Sequence, residues 1–316
     1  MREKKSFAQR TKTRDTNEAK KKYFLVYEGD ETEELYFEEV GTNRSKIGID
    51  PLIELVPVVR SYSETGWSNP KKIVDRMLLN LEESTTGVIS YETLLNWIMD
   101  FLREEGILTT SKVKARSLWQ TLQWICEEKL QVELNDTISD LEQTCQSIAE
   151  YFNQEEQIDT LVNDVPRIIK NRAIVYGEGF DKICFIVDRD KESFVSHENN
   201  NQYAYVIEKC REKGFGLYLT NPCFEFWLLL HFDDVEKLDN GKLLDNPKAN
   251  AKRRYTEQEL RNRMKNYTKS SYDTGWFVNR IDTAIENEKK YCEDENELEH
   301  SVGSRVGILI EEMRKH

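Results

Sequence analysis

Apolar positions in this chain follow two patterns, short unbroken runs and long stripes at helical spacing. YFLVYEGD (23–30) is a β-rich apolar run ending in Glu-Gly-Asp, and ETEELYFEEV (31–40) places Leu35, Tyr36 and Val40 at helical intervals. A strand, a tight turn and a helix are expected there. LIELVPVV (52–59) reads as a second strand whose end Pro57 confines to an edge or exit position. KICFIVDRD (182–190) is the clearest strand, an apolar run flowing into Asp-Arg-Asp. Helical character follows at 199–213, then a strand at 214–220 (GFGLYLT). CFEFWLLLHF (223–232) suits a buried helix, with Asn221 as N-cap and Pro222 in its first position.

Between these runs, from about 69 to 172, the spacing is helical almost throughout. Leu94, Leu95, Trp97, Ile98, Phe101 and Leu102 form one stripe, with Ser90 as N-cap and Gly106 as stop. Further helices are expected over 115–130 and 137–153, and their aromatic stripes read as core. The order strand-helix-strand, helical block, strand-helix-strand-helix implies an α/β fold with a mostly parallel sheet and right-handed crossovers. The expected division is a basic tail at 1–22, a first core part at 23–68, an all-helical insertion at 69–172, a second core part at 173–240 and a helical C-terminal region at 241–316.

Composition narrows the function. The 316 residues are 38% hydrophobic and 33% charged, and a mean hydropathy of -0.70 with no long apolar run argues against a membrane span. Aromatics at 10% argue against a disordered chain. The charged start lacks the apolar stretch of a secretory signal, so a cytoplasmic protein is expected. Six scattered cysteines without a CxxC pair and four histidines leave carboxylates as the abundant reactive groups.

The net charge of -13 opposes a nucleic-acid partner, but its distribution does not. Residues 1–22 carry nine Lys/Arg against three acids, and residues 242–269 again nine against three, so each island is +6. Lys252, Arg253, Arg254 and the Lys265-x-Tyr267-x-Lys269 alternation could grip a phosphate backbone and stack a base, or simply be a solvated helix face. Open α/β sheets work at the carboxyl ends of their strands. Glu28 ends the first strand, and Asp188 and Asp190 end the strand at 182–187. Such carboxylates can hold a hard divalent ion, which would polarise a phosphoryl group and activate water. Glu225, in the first turn of the next helix, is either a fourth acid or a dipole-stabilising residue. Arg189 either meets a phosphate or pairs with an acid, Asp30 and Glu31 favour a capping role, and His231 reads as a core histidine.

LVYEGDETEELYFEEV, FIVDRD, LTNPCFEFWLLLHF, KNYTK and VGSRVGILIEEM together resemble the RloB-like family, a TOPRIM-related group found in prokaryotic phage-defence loci, and also the TOPRIM component of AbiL-type abortive-infection systems. The resemblance is carried by about 20–60 and 172–316. It implies a TOPRIM-like core in which Glu28 matches the TOPRIM glutamate and Asp188 and Asp190 its Asp-x-Asp. It further implies Mg²⁺ (or Mn²⁺) at these residues, cleavage of RNA, tRNA included, or of DNA, and an ABC- or AAA-type ATPase partner. The helical block at 69–172 departs from the short connection expected of relatives. A catalytically silent scaffold that binds the ATPase or nucleic acid is the alternative; an Asp-x-Asp phosphatase or sugar transferase ranks below both.

Overall fold

The computed structural model describes residues 20–29, 31–58, 69–86, 89–104, 112–156, 179–190, 194, 196–197 and 200–315. Most of the basic tail, Asp30, Gly106 and residues 157–178, which span the end of the expected insertion and the start of the second core part, lie outside them. Five strands make one sheet: β1 (Lys21–Tyr27), β2 (Ile53–Val58), β3 (Lys182–Asp188), β4 (Gly216–Asn221) and β5 (Gly303–Ser304), in the order β2-β1-β3-β4-β5. The first four run parallel and β5 is antiparallel to β4. The fold is therefore α/β with a mostly parallel sheet. β2 is the outer strand, which is where Pro57 costs no ladder hydrogen bond.

The sheet is covered on both faces, so its central strands are apolar without alternation; Ile183 to Val187 of β3 are all buried. The period of two survives in which face each side chain joins. Tyr23, Leu25, Tyr27, Cys184, Ile186 and Tyr218 enter one core, and Phe24, Val26, Ile183, Phe185, Val187 and Leu219 enter the other.

Helices α1 (Thr32–Thr42), α2 (Pro70–Thr86), α3 (Tyr91–Glu104), α4 (Lys112–Trp124), α5 (Leu141–Glu156), α6 (Gln202–Lys213), α7 (Phe224–Leu229), α8 (Tyr255–Arg263), α9 (Ile281–Glu288) and α10 (Val306–Arg314) follow in chain order. The stretch that reads as one helical block from 69 divides in two. α2 packs on the sheet through Ile73, Val74 and Met77, beside Tyr203, Val206 and Ile207 of α6, and Tyr205 donates to Asp75 at 2.6 Å. α3 to α5 instead close a core of their own, with Leu94, Leu95, Ile98, Leu118, Leu122, Ile148 and Phe152 all buried. The Thr93 amide donates to Ser90 Oγ at 3.3 Å, the expected N-cap.

Two local expectations change. Asn221 is the last residue of β4 rather than a helix cap, because α7 starts only at Phe224, with Cys223 as its N-cap; the Asn221 side-chain amide nitrogen donates to the Leu298 carbonyl at 2.6 Å. The C-terminal region is not purely helical, since β5 extends the sheet. α7 is buried on every side, from Phe224 through Leu230. His231 follows it with Nδ1 3.0 Å from the Trp227 carbonyl, which can only accept, so Nδ1 carries the proton and Nε2 accepts from the Tyr36 hydroxyl at 3.1 Å. Burial pulls its pKa down to about 3, and His231 is a neutral core residue.

α9 and α10 meet through a buried carboxyl. Glu288 Oε1 accepts the Gly307 amide at 3.0 Å, and a Cβ on Gly307 would stand 2.1 Å from Glu288 Oε2, so only glycine allows the approach. Burial raises the Glu288 pKa to about 7, outweighing the Gly307 amide and the Ser304 hydroxyl, which favour the anion. Between the ordinary 4.5 and about 7 the folded state holds a proton that the unfolded chain has released, so this contribution to stability falls as pH rises. In urea titrations, Glu288→Gln is expected to gain on wild type by roughly 2–3 kcal/mol between pH 5 and pH 8. A difference independent of pH would contradict that.

Candidate functional site

From β1 the chain passes to β2 on one side and then returns across β1 to β3 on the other, so the strand order reverses between β1 and β3. Loops leaving the carboxyl ends diverge at such a point and open a crevice. Glu28 and Asp188 stand on its two sides. The Glu28 amide continues the ladder to the Ile186 carbonyl at 3.0 Å, and Glu28 Oε2 accepts the Asp188 amide at 2.7 Å. Asp188 Oδ1 in turn accepts the amide of Phe224, the first residue of α7, at 2.8 Å. One chain of hydrogen bonds thus links the ends of β1 and β3 to the start of α7, where Glu225 follows. Glu28 and Glu225 are both buried.

A further carboxylate joins them. Glu33, buried in the first turn of α1, folds over the backbone at Gly29, where a Cβ would lie 2.2 Å from Glu33 Oε2. The sequence analysis does not single it out, because a first-turn glutamate carries no local signal beyond its favourable place at a helix N-terminus. Burial first, then the charges of Glu28, Glu33 and Glu225, push the Asp188 carboxyl well above the usual carboxylate range, with Lys269 opposing. Glu225 behaves differently. Burial would raise it, but the Lys269 ammonium at 2.8 Å, the Cys223 thiol and its own backbone amide together hold it below its ordinary value. Lys269 is raised correspondingly, chiefly by Glu225.

Asp188, Asp190 and Glu225 line a cleft of about 480 Å³ together with Lys248, Lys252, Arg253, Arg254 and Lys269, and Asp245 and Glu257 belong to the same lining. The loop over 246–256 that carries most of the cations is braced: Asn250 Oδ1 accepts the amides of Lys252 and Arg253 at 2.9 and 3.0 Å, and Asn246 Oδ1 accepts the Thr256 amide and hydroxyl, each at 3.1 Å. Lys248 and Lys252 are exposed, whereas Arg253 pairs with Glu257 at 3.2 Å.

Two residues expected to touch nucleic acid are placed otherwise. Arg189 is buried with its guanidinium against Tyr203 and Phe194, donating to the Phe194 carbonyl and paired with Glu299 at 3.3 Å, the second of the two roles open to it. Tyr267 is wholly buried in the core against Tyr272, which leaves no face for a base. Lys265 is exposed and lies outside the cleft lining. For Arg189 and Tyr267 tertiary packing decides where the side chain goes, and spacing along the chain does not encode it.

Among the described residues, no three His, Cys, Asp or Glu side chains stand close enough to enclose a metal ion. Mg²⁺ does not need such a cage, because it is commonly held by one or two carboxylates with water and substrate phosphate completing the shell. Hard oxygen donors at Glu28 and Asp188, and an excess of negative charge that holds the Asp188 carboxyl toward its protonated form, fit a divalent cation. Asp190 lines the same cleft.

The RloB-like protein family matches residues 119–313, more than half of the chain. The match starts within α4, covers Asp188, Asp190, Glu225 and Lys269, and leaves β1 with Glu28 upstream, so it differs in extent from the segments that carry the resemblance in the sequence. No curated protein matches the chain, and no solved structure does. No helix among the described residues is long and apolar enough to cross a membrane.

A carboxyl whose folded pKa is raised contributes stability while protonated and loses it as pH rises through that pKa. Asp188→Asn keeps an acceptor for the Phe224 amide and removes the charge. In chelator-containing buffer it is expected to be more stable than wild type at pH 8 in denaturant titration, with the advantage shrinking as pH falls and the wild-type carboxyl takes up its proton. Equal or lower stability would show that the carboxylates do not oppose one another.

Proposed function

The chain belongs to the RloB-like protein family, and from that premise we propose that it is a metal-dependent nuclease hydrolysing phosphodiester bonds of RNA, tRNA included, or DNA. The observation that carries this reading is the hydrogen bond from the Asp188 amide to Glu28 at the switch point, with Asp188 opening into a cleft lined by both acids and cations. Glu28 and Asp188 would hold Mg²⁺ or Mn²⁺, with Asp190 and Glu225 as nearby acids. When bound, the ion supplies polarisation of a phosphoryl oxygen and an acidified water. Water adds across one P–O ester bond, leaving a phosphate monoester and a free hydroxyl. The chain's own part is to fix Asp188 through Glu28 and the Phe224 amide, and to seat flanking phosphates on Lys248, Lys252 and Arg254. An acidic protein can do this because cations, Lys248, Lys252, Arg254 and Lys269 among them, line the cleft itself.

A role in abortive infection and an ATPase encoded alongside as partner rest on the resemblance alone, and a cytoplasmic setting on the composition and the charged N-terminal segment. A catalytically silent scaffold is favoured by one observation, the lack of a ready three-residue metal cluster among the described residues.

Phage protection by the whole locus separates the two, with RNA and DNA examined on gels after infection for wild type, Glu28→Gln and Asp188→Asn. Each variant retains a hydrogen-bond acceptor and loses a charge. The nuclease reading expects cleaved nucleic acid in wild type alone and protection lost, with a fall in cleavage of roughly 100-fold or more. Full protection by both folded variants would sink it in favour of the scaffold.

A further inference from the structure

We infer that Lys269 is a phosphate-contacting cation of the cleavage centre and that Glu225 is its positioning residue rather than a metal ligand, an inference that rests on the nuclease reading. Glu225 Oε1 stands 2.8 Å from Lys269 Nζ, with the carboxylate side chain 3% exposed and the lysine 55%. A buried carboxylate requires a partner, and here that partner is an ammonium reaching in from the cleft wall. The ion pair fixes the position of Lys269 Nζ in the cleft that both residues line, and leaves its N–H donors available to a phosphate. Lys269 and Asp188 line the same cleft, so the ammonium shares that space with the carboxylate expected to meet the scissile phosphate.

The loop that presents Lys269 is built for register. Thr268 and Ser271 exchange backbone hydrogen bonds at 2.9 and 3.1 Å around it, and the Thr268 hydroxyl adds a third at 3.1 Å. The same loop is fastened to the acid turn. The Thr32 hydroxyl donates to the Lys269 carbonyl at 3.3 Å, and the Tyr272 hydroxyl donates to the Thr32 carbonyl at 2.6 Å. Thr32 opens α1 directly after the turn that carries Glu28 and adjoins Glu33. Lysine and acids, 241 positions apart in Lys269 and Glu28, are therefore one rigid unit. A compact, strongly localised charge suits a phosphoryl oxygen in a confined site.

The experiment uses the purified full-length chain as wild type, Glu225→Gln, Lys269→Met and the double variant, with Mn²⁺ alone as probe in calorimetry and a labelled RNA pool and DNA for cleavage. Glu225→Gln should bind Mn²⁺ within about threefold of wild type, and Lys269→Met equally or more tightly, while both lose cleavage roughly 30-fold or more. Lys269→Met leaves Glu225 buried without its partner and is open to a folding defect. The double variant has no such charge, so a purely structural pair would recover activity in it, whereas the inference requires it to stay inactive. Tenfold weaker Mn²⁺ binding by Glu225→Gln, or recovery in the double variant, would overturn the inference. A wild-type chain that binds Mn²⁺ but cuts neither RNA nor DNA defeats the nuclease reading and, with it, the role of Lys269, while the Mn²⁺ comparison still decides whether Glu225 is a ligand. A wild-type chain that does not bind Mn²⁺ overturns both.

Discussion

Parallel strands deliver their carboxyl ends to the same side of a sheet, and here the ends of β1 and β3 are tied by the Asp188 amide donating to Glu28 at 2.7 Å. The site depends on that bond. It spends a charged acceptor on a backbone donor that would otherwise lose its partner where the ladder stops. It also sets Asp188 so that its own carboxylate meets the Phe224 amide, which fixes the start of α7 and thereby Glu225. Three segments far apart in sequence acquire a common origin from two hydrogen bonds.

The electrostatic consequence is a centre with too many carboxylates. Glu28, Glu33 and Glu225 all raise Asp188, and Lys269 alone among its strongest influences lowers it. Such an arrangement costs stability in the isolated chain, a cost that the proposed divalent cation would offset. Lys248, Lys252, Arg253, Arg254 and Lys269 in the same lining place positive charge beside these acids in an otherwise acidic protein.

The sheet was legible in the sequence because each central strand is an apolar run closed by a turn, and Glu28 and Asp188 were legible because they end those runs. Asp188's neighbour Arg189 was not, since only the tertiary packing of Phe194 and Tyr203 shows where a guanidinium following the strand will turn. Tyr267 alternates with two lysines like a nucleic-acid contact, yet its ring fills the core; alternation in a short irregular loop says nothing about direction. The Glu225–Lys269 pair joins a helix to a hairpin 44 positions later, a contact with no local signature. Helical spacing could not divide α2 from α3 to α5 either, because an amphipathic stripe looks the same whether it faces a sheet or other helices. The family match beginning inside α4 includes part of that helical layer and does not stop at the sheet.

The central claim is that the junction of β1 and β3 holds a divalent cation, and anomalous diffraction from crystals soaked in Mn²⁺ tests it most directly. The account predicts an anomalous peak at coordination distance from the carboxylates of Glu28 and Asp188, on the cleft side of the sheet. A fully soaked crystal with no peak there, or with its strongest peak at another set of acids, would contradict it.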